Sequence, residues 1–299
     1  MSAPLPIVEM SCSHKGARAE QQDACATARR DGAFFAVLCD GAGGHRGGAK
    51  ASQTAVETAT AIFLDSATSL DNPQDFFSLI INETHSAILR LGETPKTAPR
   101  STIAILLIGK DRADWASVGD SRIYHLREGK IVARSKDHTM VEILLKQGEI
   151  TEEEMGTHPD QSRLLRSLGA DEDPKPSFGI SDLRDGDGFL LCSDGLWERV
   201  KHTEIEGVFR SDLHAHELEQ LVALAVKRNG PKGDNVTALA VQYGGFPAEE
   251  RPRNLFASVL RGIIWGILLG TLIFVLSISQ CSSPLFERRP HQQASPKNS

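Results

Sequence analysis

Six stretches of the chain are β-branched or apolar and are bounded by Gly, Asp or Asn: 34–40 (FFAVLCD), 101–109, 113–118, 122–127, 188–194 and 236–243. Such runs predict strands. The tetrapeptide REGK at 127–130 predicts a hairpin turn into the segment IVARS. Apolar residues recur with helical period over 47–64, 73–92, 140–148 and 216–230, and Gly230 supplies a stop for the last. Helices and strands come in runs rather than in strict alternation. That order predicts an α+β layered domain with mainly antiparallel sheet, not a doubly wound parallel one.

One apolar stretch fits neither element of a globular core. From Gly262 to Phe286 there is no charged residue, and a bilayer is crossed by roughly 20 apolar residues in a helix. The chain therefore reads as one domain over 1–244, a polar linker over 245–259, a transmembrane helix over 260–280 and a short disordered tail over 281–299. Gly262, Gly266 and Gly270 recur at four-residue spacing, which suits the close approach of two helices and so a weak dimer. The opening MSAPLPIVEM lacks the layout of a signal peptide, so the domain before the span is expected on the cytoplasmic side.

Composition adds exclusions. The 299 residues carry a formal net charge of -6 with both signs interspersed, and no Lys/Arg block points to nucleic acid. The cysteines, Cys12, Cys25, Cys39, Cys192 and Cys281, are scattered without a C-x-x-C pair, as in a reducing compartment.

The stretch CDGAGGH, Cys39–His45, comes straight after the apolar run AFFAVL. A phosphate loop of the Walker type would need lysine where Ala49 stands, and a dinucleotide fingerprint would need glycine where Arg46 stands. CSHKGAR, Cys12–Arg18, has the spacing of a cysteine phosphatase loop, but no convincing helix follows to lower the thiol pKa. Aspartates, in contrast, recur at strand rims. Asp40 and Asp194 each follow a strand and precede glycine, Asp120 lies between two strands, Asp234 lies just before one, and Asp23 sits in GARAEQQDA. Rim carboxylates beside accessible glycine carbonyls suit hard divalent ions such as Mg²⁺ and Mn²⁺. Any single Asp-Gly is as well explained by a turn, and RDGDGF at 184–189 is read as one.

The segments GARAEQQD, LCDGAGGH, VGDSRIYHL, KDHT, LLRSLG, LLCSDGLWE and GDNVTALAV occur in the order found in metal-dependent protein phosphatases of type 2C, and the chain resembles that family over residues 1–243. The resemblance implies a layered α-β-β-α sandwich of two antiparallel sheets with helices outside. It implies hydrolysis of phosphoserine and phosphothreonine in proteins by a water held between ions, with two or three Mn²⁺ or Mg²⁺ as cofactors. Carried over by motif, Asp40 and the Gly41 carbonyl, Asp194 and Asp234 hold the central ions. Asp120 with Asp194 holds a third, Asp23 supports the metal water network, and Arg18 binds the substrate phosphate. The implied partners are targets of a bacterial Ser/Thr kinase, and the implied location is the cell inner membrane through the C-terminal span. Segment 139–161 is similar to the flap beside the active site of bacterial members.

The chain departs from the family's pattern in three places. Gln21 and Gln22 stand where many members have Asn and an acid, Ala42 stands where eukaryotic members have a histidine, and Arg100 precedes the Ser101–Thr102 pair in place of glycine. His45, three residues after Ala42, is not expected to substitute, and a water is the preferred proton donor. The Gln and Ala replacements keep one alternative open, a pseudophosphatase that binds phosphoproteins at the membrane without turnover.

Overall fold

Period-two alternation in the strand Ala33–Ala42 sets the layering of the domain. Phe34, Ala36 and Leu38 point into one apolar cluster, and Phe35, Val37 and Cys39 point into another. A strand covered on both faces needs no polar side, and this explains its unbroken apolar run. The computed structural model describes residues 5–42, 47–92 and 98–245. The predicted span, the dimer glycines Gly262, Gly266 and Gly270, and His45 all lie outside the described residues. No helix among the described residues is long and apolar enough to cross a membrane.

The strands are β1 (Ile7–His14), β2 (Asp23–Arg30), β3 (Ala33–Ala42), β4 (Arg100–Ser101), β5 (Ile103–Ile108), β6 (Arg112–Val118), β7 (Arg122–Arg127), β8 (Lys130–Arg134), β9 (Ser177–Asp182), β10 (Gly188–Cys192) and β11 (Val236–Tyr243). The helices are α1 (Gly47–Leu64), α2 (Pro73–Leu89), α3 (Met140–Gln147), α4 (Asp194–Trp197), α5 (His202–Val208) and α6 (Ala215–Asn229). One sheet has the order β1-β11-β10-β7-β8, and the other has β2-β3-β5-β6-β9 with β4 paired to β3. Every named pairing is antiparallel.

The sheets face each other across Phe34, Leu38, Leu106, Ile123, Leu191 and Leu239. α1 and α2 cover the outer face of the second sheet, and α5 and α6 cover that of the first. The α-β-β-α sandwich is thus present. Leu106, Ile123, Leu191 and Leu239 are essentially excluded from water, and burying each such side chain contributes about 1.5–3 kcal/mol.

Helix ends follow local chemistry. Asn72 caps α2 by accepting from the Gln74 N–H, with Pro73 at the first turn. Thr139 caps α3 by accepting from the Glu142 N–H, and Gly148 ends it in the left-handed conformation.

Five of the six predicted strands match closely. The sixth ends early: β10 stops at Cys192, and Asp194 opens α4 instead of closing a strand. The chain turns at Ser193 because its hydroxyl accepts from the Thr237 N–H and donates to Asp23, holding it against β11 and β2.

Candidate metal centre

The two sheets present their strand ends to one shared rim. From the second sheet come Asp40 on β3, Asp23 as the first residue of β2, and Asp120 in the turn from β6 to β7. From the first come Asp194 after β10 and Asp234 just before β11. Asp23 and Asp40 are register partners on neighbouring strands. A cleft of about 350 Å³ is lined by Arg18, Gln22, Asp40, Gly41, Asp120, Asp194 and Asp234. Six of the seven residues singled out from sequence therefore line one cavity. Asp23 is the exception, since it is buried beside Asp40 instead.

Backbone contact positions the Asp40 loop. A Cβ on Gly41 would lie 2.1 Å from the Gly48 carbonyl oxygen, and one on Gly48 would lie 2.6 Å from that of Gly41. Only a glycine pair lets the loop sit on the start of α1 this closely. Thr102 fixes the strand end: its N–H donates to the Asp40 carbonyl at 2.8 Å, and its Oγ1 accepts from the Asp40 N–H at 2.9 Å. Asn235 ties Asp234 to the amino-terminal loop. Its Oδ1 accepts from the Gln22 N–H, and its Nδ2 donates to the carbonyls of Lys15 and Glu20.

The carboxyl groups repel one another. Burial, then the charges of Asp23, Asp194, Asp120 and Asp234, hold Asp40 well above the usual carboxylate range. Burial, then Asp194, Asp137 and Glu198, does the same to Asp120. Asp23 is pushed to about 7 by burial and by Asp194 and Asp234, against hydrogen bonds from Ser193 and Thr237. Asp194 is pushed to about 6 by burial and by Asp234. Asp23 Oδ1 and Asp194 Oδ1 are buried without hydrogen-bond partners among the described residues. Among the described residues lining the cleft the one cation is the exposed Arg18, whose guanidinium donates to Asp234 Oδ2 at 2.6 Å.

These features fit divalent cations. Stacked carboxylates with orphaned oxygens are stabilised by a bound 2+ charge, and the all-oxygen donor set suits Mg²⁺ or Mn²⁺. Among the described residues no group of three or more His, Cys, Asp or Glu side chains is arranged to hold a metal ion by side chains alone. Such ions require none, since they keep several waters and take only one or two carboxylates each.

The cysteine loop has no such properties. Cys12 lies within β1, paired with Ala238, and burial with the nearby Glu219 charge raises its thiol pKa. It is a structural thiol, not a poised nucleophile. Cys39 and Cys192 are fully buried.

Several contributors were not singled out from sequence. Thr102, Ser193 and Asn235 act through hydroxyl or amide contacts with the site aspartates. Their signal was adjacency, because each sits next to a motif aspartate or its partner strand. Glu198, within the quoted LLCSDGLWE, is pushed to about 8 by burial and by the Asp194 charge, and so belongs to the same acidic cluster.

Comparisons with known proteins agree with this geometry. The family model described as protein phosphatase 2C matches residues 11–229. Protein phosphatase PhpP of Streptococcus pneumoniae is 33% identical over 223 residues, covering 74% of this chain and 90% of PhpP. The solved serine/threonine phosphatase of S. agalactiae matches with a TM-score of 0.71 at 28% identity, covering 79% of this chain and 99% of that one. The catalytic domain of the serine/threonine protein phosphatase PstP, solved in complex with two manganese ions, matches with a TM-score of 0.67 at 30% identity, covering 80% of this chain and 98% of that one. A family match across most of the sandwich, with the acidic cleft at its rim, leads to one conclusion: the chain belongs to the protein phosphatase 2C family.

Proposed function

We propose that this protein is a bacterial-type phosphoprotein phosphatase that hydrolyses phosphoserine and phosphothreonine with Mn²⁺ or Mg²⁺. One observation carries the reading most directly. The cleft gathers Asp40, Asp120, Asp194 and Asp234 at one rim with Arg18, and two buried carboxylate oxygens there lack partners among the described residues. The relatives named as Ser/Thr phosphatases, one holding two manganese ions, support it.

Asp40, the Gly41 carbonyl, Asp194 and Asp234 would hold two ions, and Asp120 with Asp194 a third. Asp23, buried behind Asp40, would support their water network. When bound, such ions supply Lewis acidity toward the phosphoryl oxygens and an activated water for in-line attack. Arg18 takes up the phosphate from the rim, exchanging its contact with Asp234 for two parallel hydrogen bonds to phosphate oxygens. Thr102 and Asn235 keep the carboxylates in place while charge builds up. The P–O bond to the seryl or threonyl oxygen breaks as the bond to the water oxygen forms. No histidine among the described residues lines the cleft, and the leaving oxygen takes its proton from water.

The apolar stretch at 260–280 supports a membrane anchor, which would hold the domain at the cytoplasmic side of the inner membrane, and the Ser/Thr phosphatase relatives support phosphorylated proteins, targets of a bacterial Ser/Thr kinase, as substrates. The four-residue glycine spacing there supports weak pairing of anchors. A reporter fused after Ser299 should behave as extracytoplasmic.

The deciding assay is phosphopeptide hydrolysis by the full chain with Mn²⁺ and with EDTA, together with the Asp40→Ala and Cys12→Ser variants. Activity should require metal, vanish in Asp40→Ala and survive in Cys12→Ser. Hydrolysis that persists in EDTA would overturn the reading, and phosphopeptide binding without turnover would show a pseudophosphatase.

A further inference from the structure

His138 sits where three parts of the site meet, and it is buried at 7% exposure. Its backbone N–H donates to the Gly119 carbonyl at 2.8 Å. Its Nδ1 accepts from the Gly119 N–H at 3.1 Å. Both polar groups of Gly119, the residue before Asp120, are therefore held by one histidine. Because Nδ1 accepts, the ring proton lies on Nε2 and is donated to Ser177 Oγ on β9, 2.9 Å away. Burial and the Arg166 charge lower the ring's pKa to about 4, so the imidazole stays neutral and Nδ1 keeps its lone pair.

The loop it grips has little freedom to settle elsewhere. Gly119 has a φ of +103°, and a Cβ there would lie 2.6 Å from Thr102 Cγ2. Thr102 in turn holds Asp40. The Trp197 indole N–H donates to the Asp120 carbonyl at 2.9 Å.

His138 is also one root of the segment that flanks the cleft. That segment leaves at Thr139 and returns at Leu164, and the two residues form an antiparallel bridge. The Leu165 N–H donates to the His138 carbonyl at 2.8 Å, and the Met140 N–H donates to the Arg163 carbonyl at 3.1 Å. On the returning side, Ser162 and Leu164 line the cleft. A displacement of the segment's roots must therefore act on the residue that holds Gly119.

We propose that His138 is a positioning residue that couples the 139–164 segment to Asp120, so that the seating of this segment sets how well Asp120 holds a cation. This rests on the metal-site reading above. A partner or substrate pressing on the segment would alter cation affinity at Asp120 through His138, without touching the carboxylate.

The test is calorimetric titration of the full chain with Mn²⁺ alone, for the parent, His138→Ala, His138→Asn, Asp120→Asn and the Ala/Asn double variant. Removing an outer-shell contact commonly costs 10–100-fold in metal affinity. His138→Ala should weaken the weakest Mn²⁺ site about tenfold. His138→Asn, whose Oδ1 can still accept from Gly119, should recover to within about threefold of the parent. The double variant should bind no more weakly than Asp120→Asn, because the two residues act through one contact. Parent-like Mn²⁺ binding in His138→Ala, no rescue by Asn, or additive losses in the double variant would each overturn the proposal. Should His138→Ala fail to fold, the Asn variant and Ser177→Ala, expected to weaken Mn²⁺ about twofold to threefold, decide it. A parent that binds no Mn²⁺ would overturn the metal-site reading as well, so the two failures are told apart.

Discussion

Strand β10 has an aspartate just beyond each end, and the fold treats them in opposite ways. Asp187, ahead of Gly188, is 1% exposed. It accepts from Arg127 Nε and a terminal nitrogen at 2.8 Å each, and from the Arg184 N–H at 2.9 Å. Burial alone would raise its pKa, but the hydrogen bonds from Arg127, with the His125 ring nitrogen 3.4 Å away, hold it down at about 2. Asp194, after Cys192, has a buried oxygen without a partner among the described residues, and burial with the Asp234 charge raises it to about 6. One carboxylate was given its counter-ions by the chain, whereas the other was left short of them. The satisfied end belongs to stability and the unsatisfied end to chemistry.

The sharpest way to break this contrast is to neutralise each end. Asp194→Asn should lower kcat by about 10²–10³-fold, while leaving the metal-free fold at least as stable, since a repelling charge is removed. Asp187→Asn should do the reverse, costing about 3 kcal/mol in denaturant unfolding by stranding Arg127 and His125, with kcat/KM in Mn²⁺ near the parent's. Equal effects of the two substitutions on both measurements would erase the distinction. Arg18→Ala should have a smaller and different effect, raising KM for phosphopeptide about tenfold through loss of a bidentate phosphate contact. Its exposed pairing with Asp234 contributes little to stability.

The smallest effect concerns pH. Asp23 and Asp194 have folded-state pKa values raised to about 7 and about 6. Their contribution to stability is therefore fully present below the unfolded value and is lost as pH rises through 6 to 7. The metal-free chain should melt about 2–4 °C lower at pH 8 than at pH 5.5. Added Mn²⁺ should reverse the loss, with a larger thermal shift at the higher pH because the ion displaces protons. Asp187, lowered to about 2, has the opposite sign: its contribution is present above the unfolded value and is lost only as pH falls toward 2. A metal-free melting temperature that rises from pH 5.5 to pH 8 would contradict this assignment.

The sequence made the buried strands plain because both faces of β3, β5 and β10 are covered, so their apolar runs are unbroken. It obscured β1, β2 and β9, each at the edge of a sheet. Ile180 on β9 is exposed, and the alternation there is read against solvent on one side. Among site residues, an Asp-Gly after an apolar run marks Asp40 and Asp194, and the ordered motifs mark the rest. Thr102, Ser193 and His138 fall in or beside the ordered motifs, but their roles could not be named, because those depend on partners 62, 170 and 19 positions away. Asp23 could be named from its motif, but its burial could not, because burial comes from the packing of β2 against β3.

The pairing of β1 with β11 has a consequence for how the protein is made. Arg18 and Asp23 leave the ribosome early, yet Asp234 and Asn235, which hold the same loop, come more than 200 residues later. Closing so long a loop is slow, and it must await the final strand of the sandwich. A nascent chain, or one cut short before β11, carries most of the acidic residues but no assembled cleft. The acidic rim is thus a late product of folding, drawn together only when β11 docks between β1 and β10.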